Sequence, residues 1–246
     1  MVNLLQSLKN RSRRFFRISK WGRRPATYHY QKVERALGNV KDPPKPWQSI
    51  LLVADLRPTD RVLDMGCAEG LISLEVAKHV AHVDGVEIDP ARVQEAGRIA
   101  AQRNVANASF AAGSVVDYPL EPLKYDLTLL LNVLDKVDGS GRVVGLLELQ
   151  RMLAATRRQI IVRYSVQRSP HDRSIPLPKI LSTMDEFGFD GICFGKHTFN
   201  NMIVGNRRGT DARLRAVPPF VVLPTESMRG HPCIGDARIG TYDEFP

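Results

Sequence analysis

The chain is predicted to be an α/β protein built on a doubly wound, mostly parallel sheet of seven strands with helices on both faces. Three observations predict this. From residue 61 onward, short apolar runs alternate with stretches whose apolar residues recur at helical spacing, the pattern of successive βα units. Tyr125-Asp126-Leu127-Thr128-Leu129-Leu130-Leu131 is apolar enough for a strand covered on both faces, as parallel strands are. Finally, Val62-Leu63-Asp64-Met65-Gly66-Cys67-Ala68-Glu69-Gly70 changes from strand to helix period across its glycines, which marks a tight βα turn.

The elements follow in order. Residues 1–24 are read as a basic arm. On a helix, Leu4, Leu8, Phe15 and Ile18 share a side that Arg11 interrupts, and Lys9, Arg13, Arg17 and Lys20 gather opposite. Such an arm suits an interfacial helix on an anionic membrane, a solvated basic tail or an Arg-rich organellar presequence. Gly22 and Pro25 separate it from the main domain, expected over 25–208. Helices are expected at 28–37 and 46–56, divided by the turn-rich 38–44, and Trp47 either packs there or walls the ligand site. Strands follow at 61–64, 83–87, 108–114, 125–131, 159–166, 190–194 and 202–204, and helices at 70–80, 90–104, 141–154 and 177–187. Only Gly195 to Asn201 separates the last two strands, so the final one should enter antiparallel. Beyond Gly209 the composition turns to Pro and Gly, and 209–246 is read as an extension wrapped over the surface through Phe220-Val221-Val222-Leu223.

Composition narrows the partners. The 246 residues are 43% hydrophobic, sufficient for one well-cored domain. Of the net charge of +9, residues 1–24 carry eight with no acid, leaving 27 basic and 26 acidic residues in the rest. A near-neutral body gives no reason to expect a large phosphate-binding face. Cys67, Cys193 and Cys233 are too few and scattered for a disulfide framework or a zinc site, so no metal is expected and a reducing compartment fits. No apolar run approaches the roughly 18 residues of a bilayer span, and the N-terminus lacks a secretory signal. A cytoplasmic location is expected, with peripheral membrane contact through residues 1–24.

The 62–70 turn carries the chemistry. Small residues at Gly66, Ala68 and Gly70, with Cys67 between them, let a ligand approach the backbone, and the following helix opens with unpaired N–H groups. A dinucleotide would want G-x-G-x-x-G, whereas this turn reads D-x-G-x-A-x-G. Asp64 at the mouth would oppose a pyrophosphate and suit a ligand bearing an ammonium group. Glu87 ends the second strand about twenty residues beyond the turn, where a carboxylate accepts hydrogen bonds from ribose hydroxyls. Capping of the next helix suits Asp89, directly before Pro90, better than Glu87.

These residues resemble the glycine-rich motif of class I S-adenosylmethionine-dependent methyltransferases, usually D-x-G-x-G-x-G, with Ala68 in place of the middle glycine. The resemblance covers roughly residues 46–207 and implies a Rossmann-like methyltransferase fold with S-adenosylmethionine as cofactor. It implies further that Glu87 binds the ribose with Ile88 packed beside it. Asp117 would accept from the adenine amine, with Val116 or Tyr118 flanking the ring, and Asn132 would offer its backbone carbonyl to the ammonium group. Methyl transfer from a sulfonium needs an in-line acceptor and exclusion of water, and needs a base only where the acceptor loses a proton. Candidate bases are His171, Asp135 and Tyr164, with Asp138, Ser169 and Asp172 nearby in sequence and His197 less favoured. His171 is the only His in the loop after the fifth strand, and His titrates near neutrality.

The expected activity is methyl transfer to an oxygen of a small molecule, sugar or membrane-associated glycan or lipid. The alternatives are an RNA methyltransferase that uses the basic arm and a non-catalytic S-adenosylmethionine-binding adaptor. The Asn/Asp-Pro-Pro-Tyr/Phe motif of amino-directed nucleic-acid enzymes is absent. Pro232-Cys233 lies in the tail, outside the strand order of cytosine-C5 enzymes.

Overall fold

The computed structural model describes residues 50–51, 53–134, 136, 141–163, 175–194 and 202–213, together with the strand at 222–224. In chain order the elements are β1 (Arg61–Met65), α1 (Leu71–Val76), β2 (His82–Glu87), α2 (Pro90–Gln102), β3 (Ala108–Ala112), β4 (Tyr125–Leu131), α3 (Leu146–Ala155), β5 (Thr156–Arg163), α4 (Leu177–Glu186), β6 (Phe189–Phe194), β7 (Met202–Arg207) and β8 (Val222–Pro224). They form one sheet in the order β3-β2-β1-β4-β5-β7-β6-β8. β1 to β5 pair in parallel. β7 lies antiparallel between β5 and β6, as the short connection ahead of it requires. The seven expected strands are all present. An eighth, from the Pro- and Gly-rich extension, adds antiparallel to the edge of β6.

Strand alternation divides the core between the two faces of the sheet. Leu63, Met65, Leu130, Ile160 and Val162 face α3 and α4, which contribute Leu149, Met152, Leu153, Ile180 and Met184. Val62, Leu127, Leu129, Ile161 and Val204 face the other way, against Ile50, Val53, Ala54 and Val76. β1, β4 and β5 are thus buried on both sides, which is why their sequences read as nearly continuous apolar runs.

Among the element ends that differ from expectation, three have a clear local reason. The helix expected over 70–80 stops at Val76, where the Asn107 amide donates to the carbonyls of Ala77 (2.7 Å) and Val80 (3.0 Å) and holds that stretch as a turn. The helix expected from 141 starts at Leu146, because the buried Glu148 carboxylate accepts the Gly145 N–H at 2.7 Å and fixes the first turn. β5 begins at Thr156 rather than 159, directly after α3. There the Thr156 hydroxyl bonds the Met152 carbonyl (2.6 Å) and the Thr128 hydroxyl (2.7 Å).

Candidate active site

The strand order reverses between β1 and β4, and in an open α/β sheet the crevice outside the carboxyl ends at such a point is the natural ligand site. The turn leaving β1 lines it. Gly66, Ala68 and Gly70 all adopt left-handed backbone, at φ 80°, 51° and 71°. The Gly66 and Cys67 N–H groups donate to the Val86 carbonyl at 2.7 and 3.0 Å, which ties the turn to β2. A Cβ on Gly66 would run into the Val133 side chain, and one on Gly70 would lie 2.6 Å from the Phe110 ring. Ala68 therefore fills the one small position of the three that tolerates a methyl, at the expense of a left-handed backbone.

Two carboxylates sit beneath and beside this turn. Asp64, at 2% exposure, accepts a 2.5 Å hydrogen bond from the Ser73 hydroxyl. Burial pushes its pKa up to about 6, the Ser73 bond pulls the other way, and the negative charge of Glu87 adds to the rise. Asp64 thus lies under the loop rather than at the open mouth expected from the sequence. Glu87, 7% exposed, accepts the Ala68 N–H at 2.9 Å on one oxygen and the Asp89 N–H at 3.2 Å on the other, bracing the turn from β2. Among the described residues neither carboxylate has a cationic partner. Glu69, 6% exposed, has one oxygen without a hydrogen bond among the described residues; its nearest cation is Arg92, at 3.6 Å. Burial, with the neighbouring Asp64 and Glu87 charges, raises the Cys67 thiol far above its usual range, so that it stays protonated and shapes the turn rather than attacking anything. Two buried acids, Asp64 and Glu87, with no cation paired to either among the described residues disfavour a phosphate and suit an ammonium group and hydroxyl donors.

Beyond β3, residues 113–118 fold into a compact turn. The Ser114 carbonyl accepts the N–H groups of Asp117 (3.3 Å) and Tyr118 (2.8 Å), and the Ser114 hydroxyl accepts that of Val116 (3.2 Å). Val116 and Tyr118 are half-buried and pack on the core, whereas the Asp117 side chain is exposed. After β4, Asn132 is exposed in left-handed conformation, φ 57°, and its N–H donates to the Arg163 carbonyl at 2.6 Å.

Residues 56–191, more than half the chain, match the family model described as a methyltransferase domain. The chain belongs to that methyltransferase family. Its fold is that of the class I S-adenosylmethionine-dependent methyltransferases. The model superposes with a TM-score of 0.52 on the magnesium protoporphyrin IX methyltransferase ChlM from Synechocystis PCC 6803 with bound SAH, at 17% identity, covering 82% of this chain and 94% of that one. A TehB-like SAM-dependent methyltransferase from Corynebacterium glutamicum gives 0.52 at 16% identity, covering 74% and 97%. Among curated relatives, the 23S rRNA (uracil(1939)-C(5))-methyltransferase RlmD of Klebsiella pneumoniae is 46% identical over 56 residues, 23% of this chain and 13% of that protein. An uncharacterized RNA methyltransferase of Lactobacillus johnsonii is 32% identical over 93 residues, 36% of this chain and 21% of that protein. The methyltransferase thus matches only a small part of the length of these two relatives.

The fold brings Asp64, Gly66, Cys67, Ala68, Gly70 and Glu87 of this methyltransferase together around one turn. It places Ile88, 46% exposed, directly after β2. Val116, Asp117 and Asn132 follow β3 and β4 at the same end of the sheet. Asp89 caps α2, accepting the Ala91 N–H at 2.9 Å. The candidate bases Asp135, Tyr164 and His171 lie outside the described residues, as do Asp138, Ser169, Asp172, His197, Trp47 and the arm 1–24. Sequence reasoning missed Ser73 and Arg151. Ser73 carried a signal, being a polar residue on a buried helical face; the Arg151 guanidinium reaches carbonyls more than thirty residues away and carried none.

Proposed function

We propose that this methyltransferase binds S-adenosylmethionine across the carboxyl ends of β1, β2 and β3 and passes its methyl group to an acceptor oxygen. The observation that carries this reading is the pair of buried carboxylates Asp64 and Glu87, without a cationic partner among the described residues, flanking a left-handed, small-residue turn. When bound, the cofactor supplies an electrophilic methyl on a sulfonium. The chain's own residues hold and orient it. Asp64 provides negative potential under the methionine end, joined by the Asn132 carbonyl. Glu87 uses two of a carboxylate's roughly four acceptor positions on backbone amides, so that two remain for ribose hydroxyls. Asp117 accepts from the adenine amine, with Val116 or Tyr118 against the ring and Ile88 beside the ribose. Where the acceptor must lose a proton, His171, Asp135 or Tyr164 serves as base.

A near-neutral body favours an oxygen of a small molecule, sugar or membrane-associated glycan or lipid as acceptor. RNA is the second reading, favoured by relatives named as RNA methyltransferases, with the basic arm on phosphates. The layout retained is an arm at 1–24, a methyltransferase domain at 25–208 and an extension at 209–246. The site of action is the cytoplasm, with peripheral membrane contact through the arm; no helix among the described residues is long and apolar enough to cross a membrane. Incubation of the full chain with methyl-labelled S-adenosylmethionine and, separately, RNA, glycolipid and small-molecule fractions of an extract tests both steps. Label in the glycolipid or small-molecule fraction supports the first reading, and label in RNA the second. No transfer to any fraction leaves a cofactor-binding adaptor.

A further inference from the structure

The turn at 113–118 is held from one side by a single side chain. Arg151, on α3, donates from Nη1 to the carbonyls of Val115 (2.8 Å) and Val116, and from Nη2 to the carbonyl of Tyr118 (2.5 Å). The three acceptors bracket residue 117. Together with the Ser114 bonds described above, they fix the backbone on both sides of Asp117 and leave its side chain as the exposed part of the turn. The clamp is launched from a rigid base. Leu149, Met152 and Leu153 of the same helix are fully buried, and the Arg207 guanidinium bonds the Leu153 and Thr156 carbonyls at 2.7 Å to close the helix end. A planar guanidinium with five donors can span three carbonyls at once, which an ammonium cannot do in the same fixed geometry.

We infer that Arg151 is a positioning residue that sets the Asp117 turn for recognition of the purine amine, and hence determines cofactor base specificity. This rests on the reading that the turn holds the adenine ring. Arg151 itself touches no ligand: it acts by holding the three carbonyls, so that the Asp117 carboxylate stands at a fixed place beyond β3. A turn freed of the clamp keeps its Ser114 bonds but presents Asp117 over a range of positions, and the amine is then read less sharply.

The test compares binding of S-adenosylhomocysteine with that of its deaminated analogue, whose purine carries an oxo group where adenine has its amine, by calorimetry on the full chain. The parent should prefer S-adenosylhomocysteine at least tenfold. Arg151→Met should weaken S-adenosylhomocysteine by tenfold or more and bring the preference close to one, while the pH dependence of binding that reports the methionine end is retained. Arg151→Lys keeps the charge and stem without the fork, so it should recover thermal stability without recovering the preference. Asp117→Asn should also lose the preference, and the double variant Asp117→Asn/Arg151→Lys should lose no more than either alone. A preference unchanged in both Arg151 variants, whatever happens to Tm, would make Arg151 a packing staple and overturn the proposal; if Arg151→Met does not fold, Arg151→Lys decides it. A parent that binds S-adenosylhomocysteine without preference, with Asp117→Asn at parental affinity, removes the adenine reading and the inference with it.

Discussion

The two ends of the sheet treat buried carboxylates in opposite ways. At the amino end, the Arg158 guanidinium bonds Asp55 at 2.7 Å and Asp60 at 2.6 Å. Arg57 adds Asp55 (2.9 Å) and Asp211 (2.8 Å), and Gln159 links the Asp55 N–H (2.9 Å) to Asn206 (2.8 Å). At the carboxyl end, Asp64 has a hydroxyl and Glu87 has backbone amides, with no cation on either among the described residues. Burial raises both Asp60 and Asp64, but at Asp60 the Arg57 amide and the Arg158 guanidinium oppose it, whereas at Asp64 a single hydroxyl does. The difference underlies the proposed division of roles: acids paired within the chain hold the sheet and its C-terminal extension together, whereas on the proposed reading Asp64 meets the ammonium group and Glu87 the ribose hydroxyls of the cofactor.

That contrast can be broken at either end. The largest expected effect is at the amino end. Arg158→Met leaves the buried Asp60 without its cation and Asp55 with Arg57 alone, and urea denaturation should show a loss of about 3–5 kcal/mol of stability. Affinity for S-adenosylhomocysteine in the folded fraction should change less than twofold. Asp64→Asn should do the reverse. Folded Asp64 titrates near 6 against an ordinary 3.8, so between those values the folded chain holds a proton that the unfolded chain releases. The stability this group contributes is therefore fullest below about pH 4 and is lost as pH rises through 6, by roughly 3 kcal/mol. The difference in stability between parent and Asp64→Asn, measured without ligand from pH 4.5 to 7.5, should move in the variant's favour with that slope. A difference that stays level with pH would show that Asp64 is already neutralised. The smallest effect is at Ala68. Removing its left-handed methyl with Ala68→Gly should raise stability by up to about 1 kcal/mol, partly offset by a freer unfolded chain. Thermal unfolding should then shift upward by about 2–4 °C at most.

The sequence is most informative where one face or one turn decides the structure. β4 occupies 125–131 as expected because every other constraint is subordinate to its double burial. The Gly66–Gly70 turn was legible because only small residues fit against Val133 and Phe110. β5 was partly hidden: Arg157 and Arg158 break its apolar run, and nothing local says that Arg158 is neutralised by Asp55 and Asp60 about a hundred residues away. β8 was hidden as a strand because three residues in a Pro- and Gly-rich tail carry too little period to mark one, and its pairing is supplied by the edge of β6. The placement of Asp64 and Glu87 at the carboxyl ends of β1 and β2 followed from strand ends and spacing. The Arg151 clamp did not, since it depends on where α3 lies in space.

The most direct measurement is calorimetric titration of S-adenosylhomocysteine into the parent and Asp64→Asn at pH 5 and pH 7.5, with NAD as the comparison ligand. Both the cofactor and this product keep the ammonium group, which the negative charge of Asp64 attracts from under the loop. The parent should bind tenfold or more tightly than Asp64→Asn at pH 7.5, lose much of that advantage at pH 5 as Asp64 takes up its proton, and show no binding of NAD. Equal affinity of the two proteins at pH 7.5, or tight binding of NAD by the parent, would contradict the assignment of this carboxylate to the ammonium end of S-adenosylmethionine.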